Sequence, residues 1–157
     1  MPETIGPAIQ SVTDGRLTFK KAHLEYLGNP ECVDVTFGPG RSILIHNPQR
    51  RQELLDMLLA DEEGLLDEDQ NQIELRLDSL ADPAPVDEQG RMRIPQVYLN
   101  RLQLPDKGAK VYLFRRRRNG WIEVWSEAEF DRMIDAPADV WQVALNRLVL
   151  RRRGTQV

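Results

Sequence analysis

A mainly β protein with short helices, folded as one barrel-like core from two tandem copies of a strand, helix, hairpin, helix unit, is what the sequence predicts. Three observations predict it. The same order of elements reads twice, once from Gly15 and once from Asp87. Neither copy, at roughly 50 residues, could bury enough surface alone, and each would leave strand edges unpaired. The punctuation is that of hairpins and capped helices: Gly38-Pro39-Gly40-Arg41 and Asn119-Gly120 read as turns, and Ser126 with Glu129 as a capping box.

In the first copy, residues 15–19 alternate apolar and polar as a half-buried strand does, after a loose start to the chain. Residues 21–27 read as a short helix stopped by Gly28 and Pro30. Residues 32–37 and 42–46 are β-rich runs that make a hairpin. Asn47 is then an N-cap with Pro48 at the first helical position, and Leu54, Leu55, Leu58 and Leu59 give that helix an apolar face ending near Gly64. Residues 65–80 are acidic and partly helical, and residues 81–86, with Pro83 and Pro85, read as a linker.

The second copy repeats this order. Residues 91–94 are a strand, Pro95 opens a helix that runs to Leu102, and residues 111–116 and 121–125 form a hairpin around Asn119-Gly120. Phe130, Met133 and Ile134 give the capped helix its apolar face. The expected layout is therefore a first half over 11–63, an acidic linker over 64–86, a second half over 87–135, and a C-terminal helix and tail over 136–157. In that last segment Trp141, Ala144, Leu145 and Leu148 fall at helical spacing, and Arg151 to Arg153 sit where they offset the helix dipole. Its simplest role is packing on its own protein or a neighbouring subunit; a DNA-contacting tail is the alternative.

Composition narrows the function. With 157 residues, 41% apolar and 29% charged, the chain has room for one ordinary domain or two small ones. No run approaches the roughly 20 apolar residues of a membrane span, and residues 1–10 lack the basic and apolar segments of a signal peptide. Cys32 is the only cysteine, which excludes an internal disulfide and fits a reducing cytosol. No enzyme is expected: His23 and His46 are the only histidines, and no metal-ligand spacing, catalytic triad or phosphate-binding glycine loop occurs. No catalytic residue, metal, cofactor or small-molecule substrate is therefore assigned. The net charge of −4 hides an uneven distribution: residues 60–90 hold eleven acids against Arg76 alone, a balance of −10, which leaves +6 on the remainder. A chain so polarised can present a basic face to a polyanion.

Asp87-Glu88-Gln89-Gly90-Arg91-Met92-Arg93-Ile94-Pro95 resembles the second signature of the MraZ family of transcription regulators, which carry two AbrB-like halves in one chain. Ile122-Glu123-Val124-Trp125 before a capped helix is similar to that family's hairpin end, and Asn47-Pro48 after Leu44-Ile45 to the matching place in its first half. The resemblance spans roughly residues 13–134. It implies a swapped-hairpin, double-split β-barrel, a homo-oligomer in the form of a ring, a cytoplasmic, nucleoid-associated protein, and binding to direct repeats in double-stranded promoter DNA of the division and cell-wall gene cluster. The family signature is an Asp four residues before an Arg, once per half. Asp87 and Arg91 match it; before Arg16, Val12 stands at that spacing, Lys20 stands where Pro is usual, and Asp14 is the carboxylate left to take the acid's part.

The chemistry suits the resemblance. A guanidinium fork matches the O6 and N7 acceptors of guanine in the major groove, provided something holds it still. Asp87 is placed to hold Arg91, and Arg16 is the equivalent reader of the first half. Arg93, Lys20, Lys21 and Arg41, on strand ends or a hairpin loop, are candidates for phosphate contact, which adds affinity and salt dependence without base choice. Arg115 to Arg118 read as a solvated charge run or a further DNA contact. The competing expectation is an oligomeric protein-interaction module, such as an AbrB-type antitoxin, with the acidic segment as its partner-binding element.

Overall fold

In the computed structural model, the described residues are 8–53, 56, 68, 71–72, 75, 81–116, 120–135 and 142–147. Eight strands form one antiparallel sheet: β1 (Ala8–Thr13), β2 (Arg16–Thr18), β3 (Cys32–Phe37), β4 (Ile43–His46), β5 (Asp82–Pro85), β6 (Arg91–Arg93), β7 (Lys110–Arg116) and β8 (Trp121–Ser126). Among the helices that accompany them are α1 (Lys21–Leu27), α2 (Gln96–Leu102) and α3 (Glu127–Ile134), with a 3-10 turn at Pro48–Arg50. The spatial order is β5-β3-β4-β8-β7-β1-β2-β6. A single bridge, Val86 to Met92, links the β5 and β6 ends, so the sheet is a nearly closed barrel.

Along the strands the alternation expected of a two-faced sheet decides which residues fill the barrel. Leu17, Val33, Val35, Ile43, Ile45, Met92, Val111, Leu113, Ile122 and Val124 are buried together, with Leu27, Tyr98 and Leu102 from the helices. Closing a sheet removes the exposed edges that a single half would carry.

The order of strands has an internal symmetry. Exchanging β1 with β5, β2 with β6, β3 with β7 and β4 with β8 leaves the closed order unchanged. Individual hydrogen bonds repeat as well: Val12 N–H donates to Ala109 O at 3.0 Å as Val86 N–H does to Glu31 O at 2.8 Å. Phe19 N–H donates to Gly90 O, and Ile94 N–H to Gly15 O, both at 2.8 Å. Neither half is a separate body, because strands of one lie between strands of the other.

Two strands depart from the sequence reading. Residues 81–86, expected as a linker, contain β5, which pairs with β3 from Cys32↔Pro85 to Val35↔Asp82. Prolines fit because amide directions alternate: Val86 N–H donates to Glu31 O just before β3, Ala84 shares its parity, and Pro83 and Pro85 stand at the two positions facing away, where no donor is required. Tyr98 on α2 anchors this strand, its hydroxyl shared between Val35 O at 2.8 Å and Asp82 Oδ2 at 2.7 Å. Tyr98→Phe is expected to cost about 1–2 kcal/mol in urea denaturation, the usual cost of losing one buried hydrogen bond. Likewise β1 begins at Ala8, in the stretch read as a loose start. The expected helical face of Leu54, Leu55, Leu58 and Leu59, most of the acidic segment 65–80, Arg117 and Arg118, Trp141, Leu148 and Arg151 to Arg153 lie outside the described residues.

By internal contacts the chain forms two compact units, Met1–Glu127 and Ala128–Val157. The first holds the whole sheet. In the second, Arg132 pairs with Glu129 on α3, Phe130 is buried, and residues 142–147 are helical.

Candidate nucleic-acid interface

The strands β2 and β6 form an antiparallel ribbon of three residues each, paired Arg16↔Arg93, Leu17↔Met92 and Thr18↔Arg91. Their alternation is strict. Leu17 and Met92 point into the core, and Arg16, Thr18, Arg91 and Arg93 are exposed on the outer side. Four exposed polar positions, three of them arginine, are thereby set on one short ribbon.

Each strand of the ribbon is presented by a tight turn. The β1–β2 turn has two central residues, Asp14 (φ 52°) and Gly15 (φ 74°), the pair of left-handed conformations of a type I′ hairpin, which Asp-Gly favours. The β5–β6 turn is one residue longer. Asp87 N–H donates to Arg91 O at 3.0 Å, and Gly90, at φ 77°, takes the left-handed position. A Cβ on Gly90 would lie 3.1 Å from Leu24 Cδ1 and 3.2 Å from Phe19 O, so that turn accepts only glycine without local movement.

Asp87 organises the longer turn. Its Oδ1 accepts from Gln89 N–H and Arg91 N–H, both at 2.9 Å, and its Oδ2 accepts from Arg91 Nε at 2.8 Å. The backbone bond from Arg91, then its side chain, hold the Asp87 carboxyl below its usual pKa range. With Nε engaged, the two terminal nitrogens of Arg91 are left over from the brace. They make no hydrogen bond among the described residues, and two such donors side by side have the spacing of a pair of acceptors such as guanine O6 and N7.

The extra residue changes how the two hairpins correspond. Val12 pairs with Leu17 as Val86 pairs with Met92, so the residue opposite Arg16 is Thr13, whereas Asp87 is opposite Arg91. Counting four residues back from Arg16 therefore reaches the wrong position. Val12 is half-buried against the core, and an acid there would face apolar side chains. Asp14, the substitute the sequence suggested, makes no ion pair with Arg16, which has no carboxylate partner among the described residues. The two-residue Asp-Gly turn was the sequence signal that could have placed Thr13, and Thr18 falls on the ribbon for the same reason.

The clefts on either side of the ribbon are lined by Arg16 and Arg91 in both cases, with Thr13, Asp14 and Thr18 in one and Asp87 and Arg93 in the other. Lys20 and Lys21 are exposed at the start of α1, and Arg41 is exposed on the β3–β4 loop; these three line neither cleft. That loop is held by Arg101, whose Nε donates to Ser42 O at 3.1 Å and Nη2 to Gly38 O at 3.0 Å. Among the described residues no group of three or more His, Cys, Asp or Glu side chains is gathered to hold a metal, and no helix is long and apolar enough to cross a membrane. Compared with models of known protein families and with curated proteins, the chain matches none.

Proposed function

We propose that the protein is a sequence-specific, double-stranded-DNA-binding regulator of the MraZ type, acting as a ring-shaped homo-oligomer on promoter repeats of the division and cell-wall cluster. The finer fold reading that goes with it is the swapped-hairpin, double-split barrel, supported by the invariance of the strand order when the halves are exchanged. The observation that carries the functional reading is the braced Arg91 on an exposed two-stranded ribbon. The major groove, about 12 Å wide, admits such a ribbon, and its base edges are read by side chains fixed in this way. Weak contacts from one subunit become useful affinity when several engage repeated sites together.

The test is a mobility shift with duplex DNA from upstream of the gene, at several salt concentrations. Arg91→Ala is expected to cost about 1–3 kcal/mol of binding free energy to that site while the oligomer, measured by light scattering, stays intact. Because Asp87 stays ionised well below neutral pH, sequence preference is expected to be the same at pH 5.5 and pH 8, and reduced at both by Asp87→Ala. Equal binding by Arg91→Ala and the native chain would remove the site assignment.

A further inference from the structure

The ribbon is not alike at its two ends. Arg16 and Arg93 stand directly opposite across β2 and β6, a placement that brings Cβ atoms to roughly 4.5–5.5 Å and makes like charges repel. Both are exposed, and neither side chain has a hydrogen bond or a carboxylate partner among the described residues. The other cross-strand pair joins Thr18 to Arg91, whose charge is already matched by Asp87. Exchange of the halves relates Arg16 to Arg91 and Thr18 to Arg93, so the chemistry breaks a symmetry that the backbone keeps.

Building on the DNA-binding reading, we infer that Arg16 and Arg93 form a cross-strand clamp for one backbone phosphate, while Arg91 alone reads a base. An anion between the two guanidiniums replaces their mutual repulsion with two charge-assisted contacts. Unbraced arginines adapt to a phosphate wherever the backbone brings it, whereas reading a base edge needs the fixed geometry that only Asp87 supplies. Each subunit therefore binds the duplex in one orientation, with its base-reading end and its phosphate end distinguishable.

The experiment selects a preferred duplex from a random pool with the full native chain. Affinities for that duplex and for an unrelated one are then measured against salt by fluorescence anisotropy. Arg16→Ala and Arg93→Ala are each expected to weaken both duplexes by the same factor and to lower the slope of log affinity against log salt by about 1 per engaged subunit, with the base preferences unchanged. Arg91→Ala is expected to bring the selected duplex down roughly 10- to 100-fold, towards the unrelated one. A change of preferred base in Arg16→Ala or Arg93→Ala, or an unchanged salt slope in both, overturns the clamp and leaves the DNA reading standing. Failure of the native chain to bind any duplex at low salt overturns the DNA reading itself, and the clamp with it. Circular dichroism confirms that each exposed-site variant is folded.

Discussion

Leu17→Ala is expected to lower the stability of the barrel by about 2–5 kcal/mol, the range for truncating a fully buried leucine to alanine. Leu17 has no exposed surface, and it is the central residue of β2, paired with Met92 at the centre of β6. The two strands have only three residues each, so this one apolar pair is what fastens the ribbon to the core. A double-mutant cycle with Met92→Ala is expected to give a coupling of roughly 0.5–3 kcal/mol, because the two side chains fill the same space. Urea denaturation of the four proteins measures it. Additive losses would mean that the strands are held independently.

The second large effect is on pH. His46 is fully buried opposite Asp34 across β3 and β4, its Nε2 lying 3.6 Å from Asp34 Oδ2, and neither ring nitrogen has a hydrogen-bond partner among the described residues. The Arg51 guanidinium bonds the same Asp34 oxygen. Burial pushes the imidazole down from 6.5 to about 4, partly countered by Asp34 and reinforced by Arg51. The unfolded chain therefore takes up a proton on His46 at a higher pH than the folded one. Stability contributed by the neutral ring is complete well above 6.5 and falls as pH drops towards 4, by about 1.4 kcal/mol per pH unit in the steep part. Between pH 7.5 and pH 5 the loss is expected to be about 2 kcal/mol. His46→Leu should remove it, so denaturation of both proteins at several pH values checks the assignment. A native-like slope in His46→Leu would place the titration elsewhere.

The sequence was most legible where propensity and tertiary demand agree. The strands of both hairpins and the helices at 21–27 and 96–102 stand where periodicity put them, because their apolar faces and stop signals are local; β7 pairs with β8 as far as Arg116↔Trp121, and Asn119 of the expected two-residue turn lies outside the described residues. The strands β1 and β5 were missed for one reason in two forms. They are counterparts, each the opening strand of a half, and each is specified by a distant partner: β1 by β7, β5 by β3. Locally, β1 places Gln10 among its inward positions, and β5 carries Pro83 and Pro85, which normally argue against a strand. At the site, the chemistry of Asp87 and Arg91 was legible because the brace is made within five consecutive residues. The partner of Arg16 was not, because a turn shorter by one residue moves every position before it, and counting along the chain does not register that slip.

The interleaving of the halves also dictates when the molecule can be assembled. Ala8 pairs with Leu113, and Ile45 with Ile122, so strands of the first half wait for partners translated much later along the chain. At about 5–20 residues per second, on the order of 5–20 s separates the synthesis of β1 from that of β7. Through that interval its main-chain groups lack their native partners, and Ile9, still half exposed in the finished barrel at 49%, adds an apolar side chain to that open edge.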